Sequence, residues 1–173
     1  MNGLYGPPRT ANIALRRRVN DLIIVQNQQA ATSYGGSAGA ATTWVTSVLN
    51  KILVDTAGIA VLDTATSRLR IPPGEYRVVA QTQGMYGLRQ RCSVKDVTNN
   101  RRYAIGPAPH SNTNHPNQTE SIGLDVMVAQ SDIQIELQQY FQADSSQPWQ
   151  RGHWGDPAEI EVYGMIELLR VRA

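Results

Sequence analysis

The chain has 173 residues, 41% of them apolar and 17% charged, with a formal net charge of +2, a size that suits one domain with an appendage better than two full domains. Its 14 glycines and 9 prolines fall short of the bias of a disordered or collagenous chain, and the single cysteine, Cys92, excludes an intrachain disulfide framework and any multi-cysteine metal centre. No apolar run approaches the roughly 20 residues of a membrane helix, and the opening MNGLYGPPRTANIALRRR lacks the basic-then-apolar order of a signal peptide; the expectation is a protein made in a bacterial-type cytoplasm with no membrane partner.

Charge divides the chain. Residues 1–40 carry Arg9, Arg16, Arg17 and Arg18 against Asp21, a net of +3, whereas residues 41–173 carry 12 basic and 13 acidic groups, a net of −1. After Pro7-Pro8, Thr10-Ala11-Asn12 offers helix caps, and Leu15, Val19 and Leu22 follow at spacings of four and three, with Gln26 and Gln29 in register. This predicts a short helix, either a parallel association helix or an ordinary surface helix. Residues 30–42 are small and Gly-containing, the composition of a flexible connector. The sequence therefore divides into a basic anchoring arm over 1–40 and a β-domain over 41–173.

Beyond the connector the apolar period becomes 2, with turn signals at the spacing of an all-β sandwich. Short strands are expected at 48–54, 59–63 and 67–71. After the Pro72-Pro73-Gly74 turn, Tyr76, Val78, Ala80 and Thr82 form an inward row. Further strands fall at 88–97 and 101–105, before a polar loop over 106–119. Ile122, Leu124, Val126 and Val128 read as a second inward row, joined through 129–131 to a neighbouring antiparallel strand with Ile133, Ile135, Leu137, Gln139 and Phe141 on one face. A second polar loop over 143–156 precedes a last strand, in which Ile160, Val162, Gly164, Ile166 and Leu168 alternate with Glu161, Tyr163, Met165 and Glu167. Nine strands imply two packed sheets, because one open sheet of that size exposes an apolar face and two edges.

Several of these segments carry a family resemblance. The run from Leu69 through Pro72-Pro73-Gly74-Glu75-Tyr76 to Val78, the segment Cys92-Ser93-Val94-Lys95-Asp96-Val97-Thr98-Asn99 and the ending Glu161-Val162-Tyr163-Gly164-Met165-Ile166-Glu167-Leu168 resemble the C-terminal jelly-roll domain of phage tail-fibre and virion-surface proteins, and the trimeric C1q and TNF-like domains. Thr43-Trp44-Val45 through Leu49-Asn50-Lys51-Ile52-Leu53 resembles the first strand of that family. The resemblance spans roughly residues 43–172. It implies a jelly-roll β-sandwich that packs as a homotrimer around a threefold axis on a virus particle and performs no chemistry.

The residues offer little to an enzyme. His110, His115 and His153 stand in no metal-ligand spacing on a helix, and as loop histidines they read as solvated polar groups. Cys92 reads as a buried thiol rather than a nucleophile, since no base is positioned beside it by the pattern. Glu159, Glu161 and Glu167 share one face of a strand, as a solvated face or a subunit interface requires. No phosphate-binding or nucleophile-elbow motif is present. The Arg16-Arg17-Arg18 run has no aromatic stacking partners, so it suits an acidic protein surface or plain solvent better than nucleic acid. Trp149, His153 and Trp154 mark the second loop as a possible ligand loop: the tryptophans either staple it to the core or contact a carbohydrate or protein.

The sequence thus predicts a non-enzymatic, cofactor-free and metal-free virion-surface protein of a tailed phage, either a capsid decoration (cement) protein or a head fibre. Arg9, Leu15, Arg16, Arg17, Arg18, Val19 and Leu22 would anchor it to the major capsid protein or another virion protein. The second reading is a short tail-fibre or adhesin tip whose loops bind a host-surface glycan or protein. Any trimer axis is expected to be lined by apolar and Gln side chains.

Overall fold

The structure is a computed structural model and describes residues 18–31, 33, 43–84, 89–109, 119–142 and 159–173. Among them there are eleven strands and no helix. In chain order they are β1 (Arg18–Gln29), β2 (Thr43–Thr46), β3 (Lys51–Asp55), β4 (Val61–Asp63), β5 (Arg68–Ile71) and β6 (Gly74–Gly84). The second half supplies β7 (Arg89–Asp96), β8 (Arg101–Tyr103), β9 (Thr119–Ala129), β10 (Ile133–Gln142) and β11 (Glu161–Arg172). One sheet runs β3-β1-β11-β6-β9; the other runs β4-β5-β10-β7-β8, with β2 also paired to β10.

The two sheets face each other across a core to which both contribute by strict alternation. Ile23 and Val25 of β1, Tyr76, Val78 and Ala80 of β6, and Ile166 and Leu168 of β11 point in from one side; Leu69, Ile71, Cys92, Val94, Ile133, Ile135 and Leu137 point in from the other. The inward rows expected on β6 and β10 are therefore as read. Aspartates tie down the tight connections: the Asp55 carboxylate accepts the Ile59 and Ala60 amides at 3.2 and 2.8 Å, and Asp96 accepts the Asn99 amide at 3.0 Å.

Three expectations are corrected. The segment expected as a helix is, over residues 18–29, strand β1, paired along β11 from Arg18↔Arg172 to Gln29↔Glu161. The consecutive β-branched residues Ile23, Ile24 and Val25 favour a pleated surface, and burial alternates through Ile23, Val25 and Asn27 with period 2. The boundary placed after residue 40 consequently moves, because residues 18–29 belong to the sandwich. Arg18, Val19 and Leu22 are strand residues rather than parts of a separate arm, with only the backbone course described for Arg18 and Val19. Arg9, Leu15, Arg16 and Arg17 lie outside the described residues, as do Trp149, His153 and Trp154.

The second correction concerns β9 and β10, which are not neighbours. β9 pairs with β6 over its whole length, from Gly74↔Ala129 to Gly84↔Thr119, while β10 pairs with β2, β5 and β7, so the chain crosses between sheets after Ala129. The third is one of phase. Ile122, Leu124, Val126 and Val128 face outward, whereas Ser121, Gly123, Met127 and Ala129 face in. In β11 a bulge shifts the pairing between Asn27↔Gly164 and Gln28↔Val162, so that Tyr163 is buried and Val162 only partly so.

Tyr76 couples the two sheets where β5 gives way to β6: its buried hydroxyl donates to the Pro72 carbonyl at 2.8 Å. Burial pushes this phenol up to about 12 from its ordinary 10.0. The fold therefore holds the neutral form. Its contribution is complete below pH 10 and is lost as the pH rises towards 12. Chemical denaturation across that window should show a falling stability, and Tyr76→Phe should flatten the fall; an identical slope in the variant would contradict the assignment.

Candidate assembly surface

The outer face of the five-stranded sheet breaks the ordinary rule of a sandwich, in which strands turn polar residues to solvent. On β9 the outward row is Ile122, Leu124, Val126 and Val128, exposed by 45%, 74%, 52% and 54%. The register carries this row inward across the sheet. Val126 stands opposite Arg77, then Leu169, then Leu22; Leu124 opposite Val79, then Glu167, then Ile24; Ile122 opposite Gln81, then Met165, then Gln26. The face is thus apolar along β9, mixed in the centre and glutamine-rich at one end, where the Gln28 amide donates to the Gln26 side-chain oxygen at 2.9 Å. A shallow depression lined by Arg77, Val79, Leu124, Val126, Glu167 and Leu169 runs through its middle.

The inverted phase of β9 has a steric cause. The segment after β8 lies against the inward side of β9 and fills the place a large side chain would take. A Cβ on Gly123 would collide with the Ala104 carbonyl, and Gly106 packs against Ser121 and Cys92. Polar groups of β9 satisfy this segment: the Ser121 hydroxyl donates to the Pro107 carbonyl at 2.8 Å and accepts the Cys92 amide at 3.0 Å, and the Asp125 carboxylate accepts the Ala104 amide at 3.1 Å. Over residues 121–125 only small or short polar residues fit inside, so Ile122 and Leu124 are turned out, while Met127 further along β9 is buried in the core.

The face carries the Glu75–Arg172 ion pair beside Val128, Lys51 opposite Gln26 and Glu120 opposite Gln83, and, in its middle, Arg77 and Glu167. Neither of the last two is in an ion pair among the described residues, since the ion pairs there are Arg68–Glu136, Arg70–Asp132, Arg170–Asp21 and Arg172–Glu75. A rigid sheet with contiguous exposed apolar side chains and unpaired charges of both signs is the composition of a protein contact rather than of a solvated surface.

Of the residues expected to anchor the chain, only Leu22 is placed on this surface with its side chain, opposite Leu169; the backbones of Arg18 and Val19 open the same strand. The possible ligand loop of Trp149, His153 and Trp154, and the loop residues His110 and His115, fall outside the described residues. Sequence reading set Met165 and Glu167 together on the outward side of the last strand, but missed Ile24, Val79, Leu124, Val126 and Leu169 as surface residues. The signal that bears on them is the small-residue phase of β9, Ser121 and Gly123, which marks the crowded side. The described residues contain no cluster of three potential metal ligands. Cys92 is buried, its thiol donating to the Ala80 carbonyl at 3.3 Å, and burial pushes its pKa up, away from the thiolate that a nucleophile requires.

No protein-family model matches the chain, and no curated protein matches it. Among solved structures it is similar to murine APRIL, crystallised at pH 5.0, with a TM-score of 0.52 and 9% identity over 88% of this chain and 100% of that one. The globular domain of zebrafish complement C1qA matches with a TM-score of 0.49 and 10% identity over 90% of this chain and 100% of that one. The chain has the C1q/TNF-like jelly-roll fold, two antiparallel sheets without a helix among the described residues.

Two outcomes follow from the packing behind β9. Gly123→Ala should destabilise the protein by about 3 kcal/mol or more, since backbone rather than a movable side chain opposes the added methyl; an unchanged denaturation midpoint would overturn the close approach. Cys92 in the native protein should resist a thiol reagent at mildly alkaline pH and react fully once denatured, and rapid labelling of the native state would contradict its burial.

Proposed function

We propose that this chain is a non-enzymatic structural protein that self-associates into a homotrimer through the outer face of its five-stranded sheet, and that it serves on a tailed-phage particle as a capsid decoration or head-fibre protein. The single observation that carries the assembly is the exposed row Ile122, Leu124, Val126 and Val128 in register with Leu169, Leu22 and Ile24. Burying side chains of that size contributes about 1.5–3 kcal/mol each. Arg77 and Glu167 lie on the same face, so copies packed about a closed axis offer each cation an anion from a neighbour. The threefold count is supported by the C1q/TNF-like fold, whose TNF and C1q members are homotrimeric. The apolar and glutamine side chains expected at a trimer axis are the kinds present here, Gln26 and Gln81 among them.

The particle setting rests on the sequence resemblance to phage virion-surface domains. The two parts are tested separately. Light scattering on the purified protein should give three times the 19.0 kDa chain mass, and Leu124→Arg should reduce it to one chain with its sandwich still folded by circular dichroism. A wild-type monomer or dimer would overturn the trimer. Mass spectrometry of purified particles from a phage encoding the chain should find it among the virion proteins, and its absence would overturn the particle role.

A further inference from the structure

The opposite side of the sandwich has a different chemistry. On the outer face of the six-stranded sheet, Glu136 takes Arg68 at 3.5 Å and the Gln138 amide at 2.6 Å; Gln138 in turn accepts the Arg102 guanidinium at 2.7 Å. These links account for the carboxylate of the central strand. The β7–β8 half of the same face carries Arg89, Arg91, Lys95 and Arg102, and none of the four has a carboxylate partner among the described residues; Arg91 donates to the Gly106 carbonyl at 3.0 Å and Lys95 to the Asn100 side-chain oxygen. Lys95 stands directly opposite Arg102 across the strand pair, a like-charge juxtaposition that works against the fold. The nearby acids are committed elsewhere: Asp96 to the Asn99 amide, Asp125 to the Ala104 amide. Such a concentration of unpaired cations on rigid strands, at a cost to the isolated protein, fits a surface completed by an anionic ligand.

We infer that the β7–β8 surface binds an anionic polysaccharide, the guanidinium and ammonium groups of Arg89, Arg91, Lys95 and Arg102 taking the carboxylate, sulfate or phosphate groups repeated along a sugar chain. Arg89 and Arg91 are consecutive outward residues of β7, about 7 Å apart by the two-residue repeat of a strand, and Lys95 lies two repeats further on. The cations therefore form a track rather than a point. Two features select the polysaccharide over other polyanions. The aromatic rings beside the track are engaged by the protein itself: Arg102 lies over Trp44 at 4.7 Å from its centroid, and Trp44 tilts against Tyr140 at 5.6 Å. They leave no stacking platform of the kind a single-stranded nucleic acid requires. The strands also present no exposed large apolar side chain, so an acidic protein partner would find no anchor there.

The surface lies on the sheet opposite the proposed assembly face, and the inference does not rest on assembly. A monomer that binds would overturn the trimer and leave the binding surface intact, whereas a trimer that fails to bind would do the reverse. Each copy in a trimer would add one track, raising avidity without new contacts.

The full chain should bind heparin, used as a sulfated polysaccharide probe, at low salt and release it as salt is raised. The triple substitution Arg89→Ser, Arg91→Ser, Lys95→Ser should weaken that binding by about tenfold or more, with the circular-dichroism spectrum and the light-scattering mass unchanged. These positions are chosen because all three point outward from β7. The inference is overturned by a wild-type protein that ignores heparin at low salt, by a folded triple variant that binds as tightly as wild type, or by equal binding to neutral dextran. Tighter binding to a single-stranded oligonucleotide or to polyglutamate would overturn it as well and reassign the surface to nucleic acid or to a protein partner.

Discussion

The structure depends on one close approach, between the backbone that follows β8 and the inward side of β9. These are the end strands of the two sheets, and the segment from Ala104 to Pro107 closes the sandwich between them. Because main chain occupies that space, β9 can turn only Gly123, Ser121 and the short Asp125 towards it. Over residues 121–125 the large residues of the alternating strand, Ile122 and Leu124, are therefore left on the outward side. The apolar outer face is thus a result of how the edge is closed, and the hydrogen bonds of Ser121 and Asp125 replace the ladder bonds that two edge strands in different sheets cannot make.

The two outer faces then divide the protein's surface by chemistry. One presents aliphatic side chains with glutamines and charges of both signs; the other presents a polar network and a cationic track. The low overall charge of the sequence conceals this, since the net value averages a nearly neutral sheet with a basic one. The arginines matter here through placement: Arg68, Arg70 and Arg170 are held by Glu136, Asp132 and Asp21, and those of β7 and β8 are not.

How much of this was legible in the sequence follows from where local pattern and tertiary packing agree. β6 and β10 are buried against the core by their apolar phase alone, so Tyr76, Val78 and Ala80, and Ile133 through Phe141, could be read directly. β9 could not, because its inward phase is the less apolar one and its reason lies in a segment some 20 residues earlier in the chain. β1 was misread for a different cause. Leu15, Val19 and Leu22 happen to fall at helical spacing, yet β1 starts at Arg18, opposite Arg172, and Leu169 and Leu168 of β11 stand opposite Leu22 and Ile23 as neighbours that local sequence does not announce. The run Ile23-Ile24-Val25 was the available warning. The jelly-roll class was reached through the Pro-Gly turn before β6 and the β11 ending, segments that hold their places in the sheet regardless of those errors.

The central position of β11 sets the order in which the protein can be made. It lies between β1 and β6, joining the first described strand to the last, and without it β1 has only the short β3 beside it. Contacts so distant in sequence form slowly, because the entropy of closing a long loop is lost before they reward it. A nascent chain emerging from the ribosome therefore has β1 waiting unpaired on one side while the greater part of the protein is synthesised. Folding of the five-stranded sheet is a late event that follows translation of β11, and a prematurely terminated chain would leave an unpaired, aggregation-prone strand instead of a smaller working domain.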